Sequence, residues 1–123
     1  MRIMIVDDEI DIQPLFNQKF KNEIRNGRVE LVYCFSAEDA LAHLESVGST
    51  EFILILSDIN MPGMNGIELL KILKQKYPHL KVFMITAYDA EEKYQKAVQF
   101  GADNYLTKPL DFDKLKKDLN ISE

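Results

Sequence analysis

The feature that most constrains the fold is an alternation, repeated five times, of a short apolar run with a longer stretch that has helical spacing. The apolar runs lack a strict period of two, which is typical of strands buried on both faces of a parallel sheet. They are Ile3 to Val6, Val29 to Phe35, Phe52 to Leu56, Val82 to Ile85 and Tyr105 to Leu106. We therefore predict an α/β fold in which five parallel strands are joined by right-handed crossovers, with helices on both faces.

The stretches between the runs carry apolar residues on one helical face, which predicts five amphipathic helices. In the first three stretches these residues are Ile10, Leu15, Phe16 and Phe20; Ala37, Ala40, Leu41 and Leu44; and Ile67, Leu70, Leu73 and Tyr77. Ser36, Asp89 and Asp111 are predicted N-caps. Pro78 is expected to end the third helix and Gly101 the fourth, because glycine favours the left-handed residue after a helix.

The composition fits one globular domain spanning residues 1–123. Of these residues, 46% are apolar and 28% are charged, which argues against a low-complexity or collagen-like chain. The 20 Asp and Glu against 15 Lys and Arg give a net charge of -5, which disfavours direct binding to nucleic acid. We find no apolar run long enough for a signal peptide or a membrane span. The single Cys34 cannot form an internal disulfide, so we expect a core thiol and a cytoplasmic location.

Polar side chains with complementary chemistry follow four of the predicted strands. The first strand runs into Asp7-Asp8, the third into Ser57-Asp58, the fourth into Thr86 and the fifth into Thr107-Lys108-Pro109. In open α/β sheets, ligands bind at the carboxyl ends of the strands, where the strand order reverses. A flavodoxin-like, doubly wound sheet of order 2-1-3-4-5 would bring these four ends to one edge, and we predict that fold.

Close approach of Asp7, Asp8 and Asp58 requires a compensating cation. At separations of about 5 Å and an effective dielectric near 20, each pair of carboxylates repels by roughly 3 kcal/mol. We expect Mg²⁺ to bind there with Lys108 nearby, and one of the three carboxyls to have a raised pKa until the ion binds. An Asp in this setting can act as a nucleophile that becomes an aspartyl phosphate. The first strand-to-helix turn lacks glycine, which disfavours nucleotide binding, and no Gly-x-Ser-x-Gly elbow occurs.

Four motifs in this order and at these spacings resemble the response-regulator receiver domain of two-component signalling, and the resemblance covers essentially the whole chain. They are Ile5-Val6-Asp7-Asp8-Glu9, Ser57-Asp58-Ile59-Asn60-Met61-Pro62-Gly63-Met64-Asn65-Gly66, Ile85-Thr86-Ala87 and Tyr105-Leu106-Thr107-Lys108-Pro109. The resemblance implies that Asp58 accepts a phosphoryl group from a phosphohistidine on a partner histidine kinase or phosphotransfer protein. It also implies that Lys108 and Thr86 contact the phosphoryl oxygens, and that a cis peptide bond precedes Pro109.

The same resemblance implies a metal site. Asp8, Asp58 and the backbone carbonyl of Asn60 would ligate Mg²⁺ directly, and Asp7 would act through a bound water. Tyr88 lies where the family controls access of water to the phosphoryl group, so we expect Tyr88, together with Asn60, to tune the rate of hydrolysis.

The resemblance further implies a conformational switch. Movement of the Thr86 hydroxyl would let Tyr105 rotate inward and change the surface of the fourth helix, fifth strand and fifth helix, about Asp89 to Leu119. A downstream effector, an output domain or a second copy of the chain would bind that surface, although the short fifth helix puts dimerisation in doubt.

Two alternatives stay open at the level of sequence. A haloacid dehalogenase-type phosphatase also uses a strand-end Asp nucleophile with Mg²⁺, but it needs a second Asp two residues later, where this chain has Asn60. The second alternative is a binding module with the receiver fold that works without phosphorylation. Our preferred interpretation is a regulatory domain that catalyses only its own phosphorylation and dephosphorylation. The sequence does not distinguish a stand-alone regulator from part of a larger protein.

Overall fold

The computed structural model describes residues 1–48, 52–86 and 91–120, except for the side chains of 91–94. Within these ranges, five strands form one parallel sheet of order β2-β1-β3-β4-β5. The strands are β1 Arg2–Val6, β2 Glu30–Cys34, β3 Leu54–Asp58, β4 Lys81–Thr86 and β5 Asn104–Thr107. The predicted fold and strand order are confirmed, and each apolar run of the sequence overlaps one strand of the sheet. The third strand begins two residues later than its run and includes Ser57 and Asp58.

Six helices are described, where five were predicted. They are α1 Ile12–Lys19, α2 Lys21–Arg25, α3 Ala37–Val47, α4 Gly66–Lys76, α5 Glu91–Gln99 and α6 Phe112–Asp118. The extra helix arises because the first predicted helix is interrupted at Phe20, whose backbone has φ -104° and ψ 17°. The Phe20 N–H still donates to the Phe16 carbonyl and the Ile24 N–H to the Phe20 carbonyl, both at 2.9 Å. The predicted second to fifth helices therefore correspond to α3 to α6.

Helices cover both faces of the sheet and give it two apolar cores. One core packs α3, α4 and α5 against one face, through residues that include Leu44, Leu70 and Ala97. The other packs α1 and α6 against the opposite face, where the Phe16 and Phe112 rings meet edge to face at 5.1 Å. Since both faces of the sheet are covered, the polar side chains at its carboxyl edge are the ones left to meet solvent and ligands.

The buried face of the first helix differs from the predicted one. Ile10 is 69% exposed and Leu15 is 40% exposed, so the expectation that they share the face of Phe16 and Phe20 is wrong. The helix begins at Ile12, and Ile12, Phe16 and Phe20 recur at intervals of four residues to form the apolar stripe. Ile10 precedes the helix, and Leu15 lies off this stripe.

Side-chain caps fix where several helices begin. Ser36 and Asp111 accept hydrogen bonds from backbone N–H groups three residues on, at 3.0 and 3.1 Å, which confirms both as N-caps. Asn65 caps α4 in the same way, at 3.0 Å. The predicted cap at Asp89 lies outside the described residues. Gly101 follows α5 with φ +89°, as predicted, and α4 ends at its expected place before Pro78. The longest described helices have 11 residues, so none in the described ranges could span a bilayer.

Candidate functional site

Three carboxylates meet at the carboxyl edge of the sheet. Val6 and Ser57 are register partners on β1 and β3, so the acids that follow them lie side by side. Oxygen atoms of Asp7, Asp8 and Asp58 lie within 4.8 Å of one another. Asp7 and Asp58 are buried, whereas Asp8 is exposed. The cluster is therefore open to solvent on the side of Asp8, and the predicted convergence of the three acids is confirmed.

Backbone N–H groups orient the two buried carboxylates. Asp7 Oδ1 accepts a hydrogen bond from the Glu9 N–H at 3.0 Å, and Asp58 Oδ1 accepts one from the Asn60 N–H at 3.2 Å. In both turns the side chain bonds to the backbone two residues on, which is a turn that Asp forms readily. Each carboxylate thus keeps its other oxygen, Oδ2, outside the turn and available to other partners.

Lys108 brings positive charge to those two oxygens. Its Nζ lies 3.3 Å from Asp7 Oδ2 and 3.4 Å from Asp58 Oδ2. The Lys108 N–H donates to the Thr86 carbonyl at 2.7 Å, which ties the loop after β5 to the end of β4. The peptide bond from Lys108 to Pro109 is cis, as expected. Thr86 is fully buried at the end of β4, beside this loop.

The charges in the cluster do not balance. Burial raises the pKa of Asp58 and the negative charge of Asp7 raises it further, while Lys108 and the Asn60 N–H act against this without cancelling it. Burial alone would lower the pKa of Lys108, but the charges of Asp58 and Asp7 outweigh it and the pKa is raised. Lys108 is therefore an ammonium at neutral pH, and it contacts two of the three clustered carboxylates, those of Asp7 and Asp58.

The donor set fits a hard divalent cation. All the clustered ligand atoms are carboxylate oxygens, which suit Mg²⁺ and Ca²⁺ better than softer metals. Three carboxylates and one ammonium carry a formal charge of -2 when ionised, which one divalent ion would neutralise. The exposed carboxylate of Asp8 provides a route of entry. A site with few carboxylates favours Mg²⁺, which keeps several waters.

Gly66 supports this edge in a way that the sequence analysis did not predict. Its N–H donates to the Ile59 carbonyl at 2.9 Å. A Cβ at Gly66 would collide with the Asp58 carbonyl oxygen and lie 2.7 Å from the Ile59 Cα. The start of α4 is therefore pressed against the end of the strand that carries Asp58. A glycine directly after the Asn65 cap, where most residues propagate a helix better, was the available signal.

The remaining candidate residues are Tyr105, Asn60, Tyr88 and Cys34. Tyr105 pairs with Met84 across β5 and β4 and packs against the core on the α5 side, with its phenolic oxygen buried. Asn60 lies two residues after Asp58, to which its N–H donates, and is exposed. Tyr88 lies outside the described residues. Cys34 is buried, and burial, together with the charge of Asp39, raises the pKa of its thiol to about 11, as suits a core residue.

Comparisons with known proteins agree with this geometry. A family profile of the response regulator receiver domain matches residues 3–120. The chain is 36% identical over 110 residues to the response regulator protein FleR of Pseudomonas aeruginosa. That alignment covers 89% of this chain and 22% of FleR. It is 33% identical over 115 residues to sporulation initiation phosphotransferase F of Bacillus subtilis, which covers 94% of this chain and 87% of that protein.

Solved structures give the same result. A CheY-like response regulator receiver domain protein from Methanospirillum hungatei superposes with a TM-score of 0.84 and 32% identity, over 97% of this chain and 90% of that one. The chain thus spans less than a quarter of FleR but most of the Bacillus protein. Since the family profile covers nearly every residue and the fold agrees, this chain belongs to the response regulator receiver domains of two-component systems.

Proposed function

We propose that this chain is a signalling switch in which Asp58 accepts a phosphoryl group from a phosphohistidine of a sensor histidine kinase or phosphotransfer protein. The observation that carries the proposal is the position of Asp58 Oδ2, which lies 3.4 Å from Lys108 Nζ inside a cluster of three carboxylates. A buried carboxylate that faces an ammonium and a cation site is poised for attack on phosphorus.

The transfer follows from the chemistry of these groups. A carboxylate oxygen of Asp58 forms a bond to phosphorus while the bond from phosphorus to the donor histidine nitrogen breaks, and that nitrogen keeps the electron pair. Lys108 and the hydroxyl of Thr86 are proposed to hold the phosphoryl oxygens. The modification replaces a charge of -1 by one near -2, which strengthens the attraction of Lys108 for position 58.

Mg²⁺ is the proposed cofactor. Asp8, Asp58 and the backbone carbonyl of Asn60 would hold it, with Asp7 acting through a water. When bound, the ion supplies positive charge that offsets the charge of the phosphoryl oxygens. The protein's own contribution is to hold the buried carboxylates in place through the Glu9 and Asn60 N–H groups.

The output is proposed to be a change in the surface formed by α5, β5 and α6. Movement of Thr86 towards the phosphoryl group would change the packing of Tyr105, which lies on β5 within that surface. An effector, an output domain or a second copy of the chain would recognise the change. Asn60 and Tyr88 are proposed to tune the lifetime of the phosphoryl group.

We further propose that residues 1–123 act as one receiver unit in the cytoplasm and turn over no separate substrate. The relatives that we find do not favour the phosphatase alternative, and Asn60 stands where that mechanism needs a second acid. An amide does not shuttle a proton, so only self-phosphorylation and self-dephosphorylation are expected. The binding module that works without phosphorylation is likewise not favoured.

Incubation with acetyl phosphate and Mg²⁺, followed by intact-mass analysis, tests the proposal. We expect the wild-type chain to gain one phosphoryl group, and Asp58→Asn to gain none. Asp113→Asn, an exposed acid on α6, is the matched control and should be labelled like the wild type. Labelling of Asp58→Asn, or labelling of the wild type at an equal rate in EDTA, would contradict the proposal.

A further inference from the structure

The chain contains two Asn-Gly sequences, and they lie in opposite surroundings. Asn26-Gly27 ends α2, and both residues are exposed. Asn65-Gly66 begins α4, where Asn65 is half-buried and Gly66 is buried. An asparagine before glycine readily forms a cyclic imide, because glycine has no Cβ to hinder the approach of its backbone nitrogen to the asparagine side chain. The surroundings therefore decide which of the two pairs reacts in the folded protein.

At the end of α2, the Asn26 side chain folds over the backbone that would attack it. Its Oδ1 accepts a hydrogen bond from the Arg28 N–H at 3.1 Å, which closes an Asx turn around the Gly27 nitrogen. Gly27 has φ +78°, and among the described residues no atom beyond its chain neighbours lies within 4 Å of the position that a Cβ would take. Its N–H donates to the Ile24 carbonyl at 3.2 Å, at the end of a helix of five residues. This turn has room to rotate towards ring closure.

The second pair is held on all sides. Asn65 Oδ1 accepts a hydrogen bond from the Glu68 N–H at 3.0 Å as the cap of α4. The Gly66 N–H donates to the Ile59 carbonyl at 2.9 Å, and a Cβ at Gly66 would collide with the Asp58 carbonyl oxygen. Rotation of this peptide breaks its contact with the end of β3, so ring closure at Asn65 requires local opening of the fold.

We propose that Asn26 is a site of spontaneous deamidation in the folded protein. The Gly27 nitrogen loses its proton to solvent base and bonds to Asn26 Cγ. The bond from Cγ to the side-chain nitrogen breaks, and that nitrogen takes a proton from water and leaves as ammonia. Water then opens the cyclic imide at either carbonyl, which gives aspartate or isoaspartate. The inference does not depend on the proposed function, because the reaction requires neither Asp58 nor a phosphoryl donor.

The modification alters the turn that joins α2 to β2. In this turn the Glu23 carbonyl accepts hydrogen bonds from the Arg28 and Val29 N–H groups, at 2.9 and 3.2 Å. Isoaspartate lengthens the main chain inside the turn, and either product adds a negative charge at the C-terminus of α2, where it is unfavourable. Because Glu23 also pairs with Lys116 at 3.0 Å, we expect the contact between α2 and α6 to weaken.

Peptide mapping of the folded chain after incubation at mildly alkaline pH tests the proposal. Digestion after glutamate releases residues 24–30, whose one asparagine is Asn26. We expect this peptide to gain about 1 Da and to separate into two products by chromatography. Asn65 should react at least about tenfold more slowly in the folded protein, and at a similar rate to Asn26 in urea, where the fold no longer protects it.

Variants identify the reacting side chain. Asn26→Gln should abolish the mass gain, because the longer side chain closes its ring far more slowly. Asn22→Gln is the matched control and should leave the gain unchanged, since Asn22 is exposed on the same helix but precedes Glu23. An unmodified peptide 24–30 would overturn the proposal, as would equal rates at Asn26 and Asn65 in the folded protein.

Discussion

The carboxyl edge of the sheet and the contact between α2 and α6 both place a buried carboxylate against a lysine. Asp58 Oδ2 lies 3.4 Å from Lys108 Nζ, and Glu23 Oε2 lies 3.0 Å from Lys116 Nζ. The two carboxyls nevertheless respond in opposite ways, because the pKa of Asp58 is raised and that of Glu23 is lowered. Similar pairs of groups therefore have different electrostatic settings in the two regions.

The difference follows from how burial and the neighbouring charges combine at each contact. Burial is the largest cause of the raised pKa of Asp58. Burial alone would raise the pKa of Glu23, but the hydrogen bond from Lys116, a backbone N–H and the charges of Lys116 and Arg28 outweigh it. At the edge of the sheet, Asp7 adds a negative charge that Lys108 does not offset. A balanced pair joins two helices, whereas an unbalanced cluster needs a further cation. A net negative local charge, added to the burial of Asp58, distinguishes the functional site.

The largest expected effect concerns the close approach of Gly66 to the backbone of Asp58 and Ile59 at the acidic edge. Gly66→Ala should lower the free energy of unfolding by about 3 kcal/mol, because the added methyl group overpacks the end of β3. It should also slow labelling by acetyl phosphate. Gly27→Ala is the comparison: Gly27 has φ +78° and open space around it, so only backbone strain of about 1 kcal/mol is expected. Urea denaturation measures the free energy of unfolding of both variants. Equal losses of stability would show that the contact of Gly66 with the end of β3 has no special role.

Removing each lysine breaks the two contacts separately. Lys116→Met should lower the free energy of unfolding by about 2 kcal/mol. This loss is smaller than for a deeply buried pair because Lys116 is 17% exposed and solvent screens the charges. Lys108→Met should lower the free energy of unfolding of the metal-free protein by a similar amount, and added Mg²⁺ should restore much of that stability. Lys114→Met, on the exposed face of α6, should change little. Recovery of the Lys116 variant by Mg²⁺, in thermal unfolding, would contradict the distinction.

Replacing each carboxylate by its amide should change stability with opposite signs. Asp58→Asn removes a repulsive charge and should raise the free energy of unfolding of the metal-free protein by about 1 kcal/mol. Glu23→Gln removes an attractive charge and should lower it by about 1 kcal/mol. Both are measured by urea denaturation in EDTA. A stability loss in Asp58→Asn would mean that the acidic edge is balanced after all.

The smallest effect is the dependence of these differences on pH. Because the folded pKa of Glu23 is lowered, its stabilising contribution is present above its ordinary value of 4.5 and is lost as the pH falls below that value. Because the folded pKa of Asp58 is raised, its contribution is present below its ordinary value of 3.8 and is lost as the pH rises above it. We expect the difference in the free energy of unfolding between wild type and each amide variant to change with pH in opposite directions for the two sites. Between pH 3 and pH 8 each difference should change by about 1 kcal/mol or less.

The sequence predicts the sheet and the acidic cluster because both follow from topology. Continuous apolar runs identify the buried strands, and their order determines which strand ends share an edge. Asp7, Asp8, Asp58 and Lys108 each adjoin a strand end, so their convergence required no knowledge of side-chain packing.

Other features depend on how helices meet the sheet, which periodicity does not determine. The contact of Gly66 with Asp58 depends on the angle at which α4 leaves its loop. The pair of Glu23 with Lys116 joins residues 93 positions apart through the packing of α2 on α6. Ile10 was misplaced because the helix begins only at Ile12, so Ile10 lies in the turn before it.

The most direct test of the charge imbalance is a titration of the Asp58 and Glu23 carboxyl carbons by ¹³C NMR, with and without Mg²⁺. We expect a pKa of Asp58 above its ordinary value in EDTA and a fall of that pKa when Mg²⁺ is added. The pKa of Glu23 should lie below its ordinary value and stay there, which makes it an internal control. An Asp58 carboxyl that titrates at or below its ordinary pKa without metal, or whose pKa does not change with Mg²⁺, would show that the charges of the cluster balance without a metal ion.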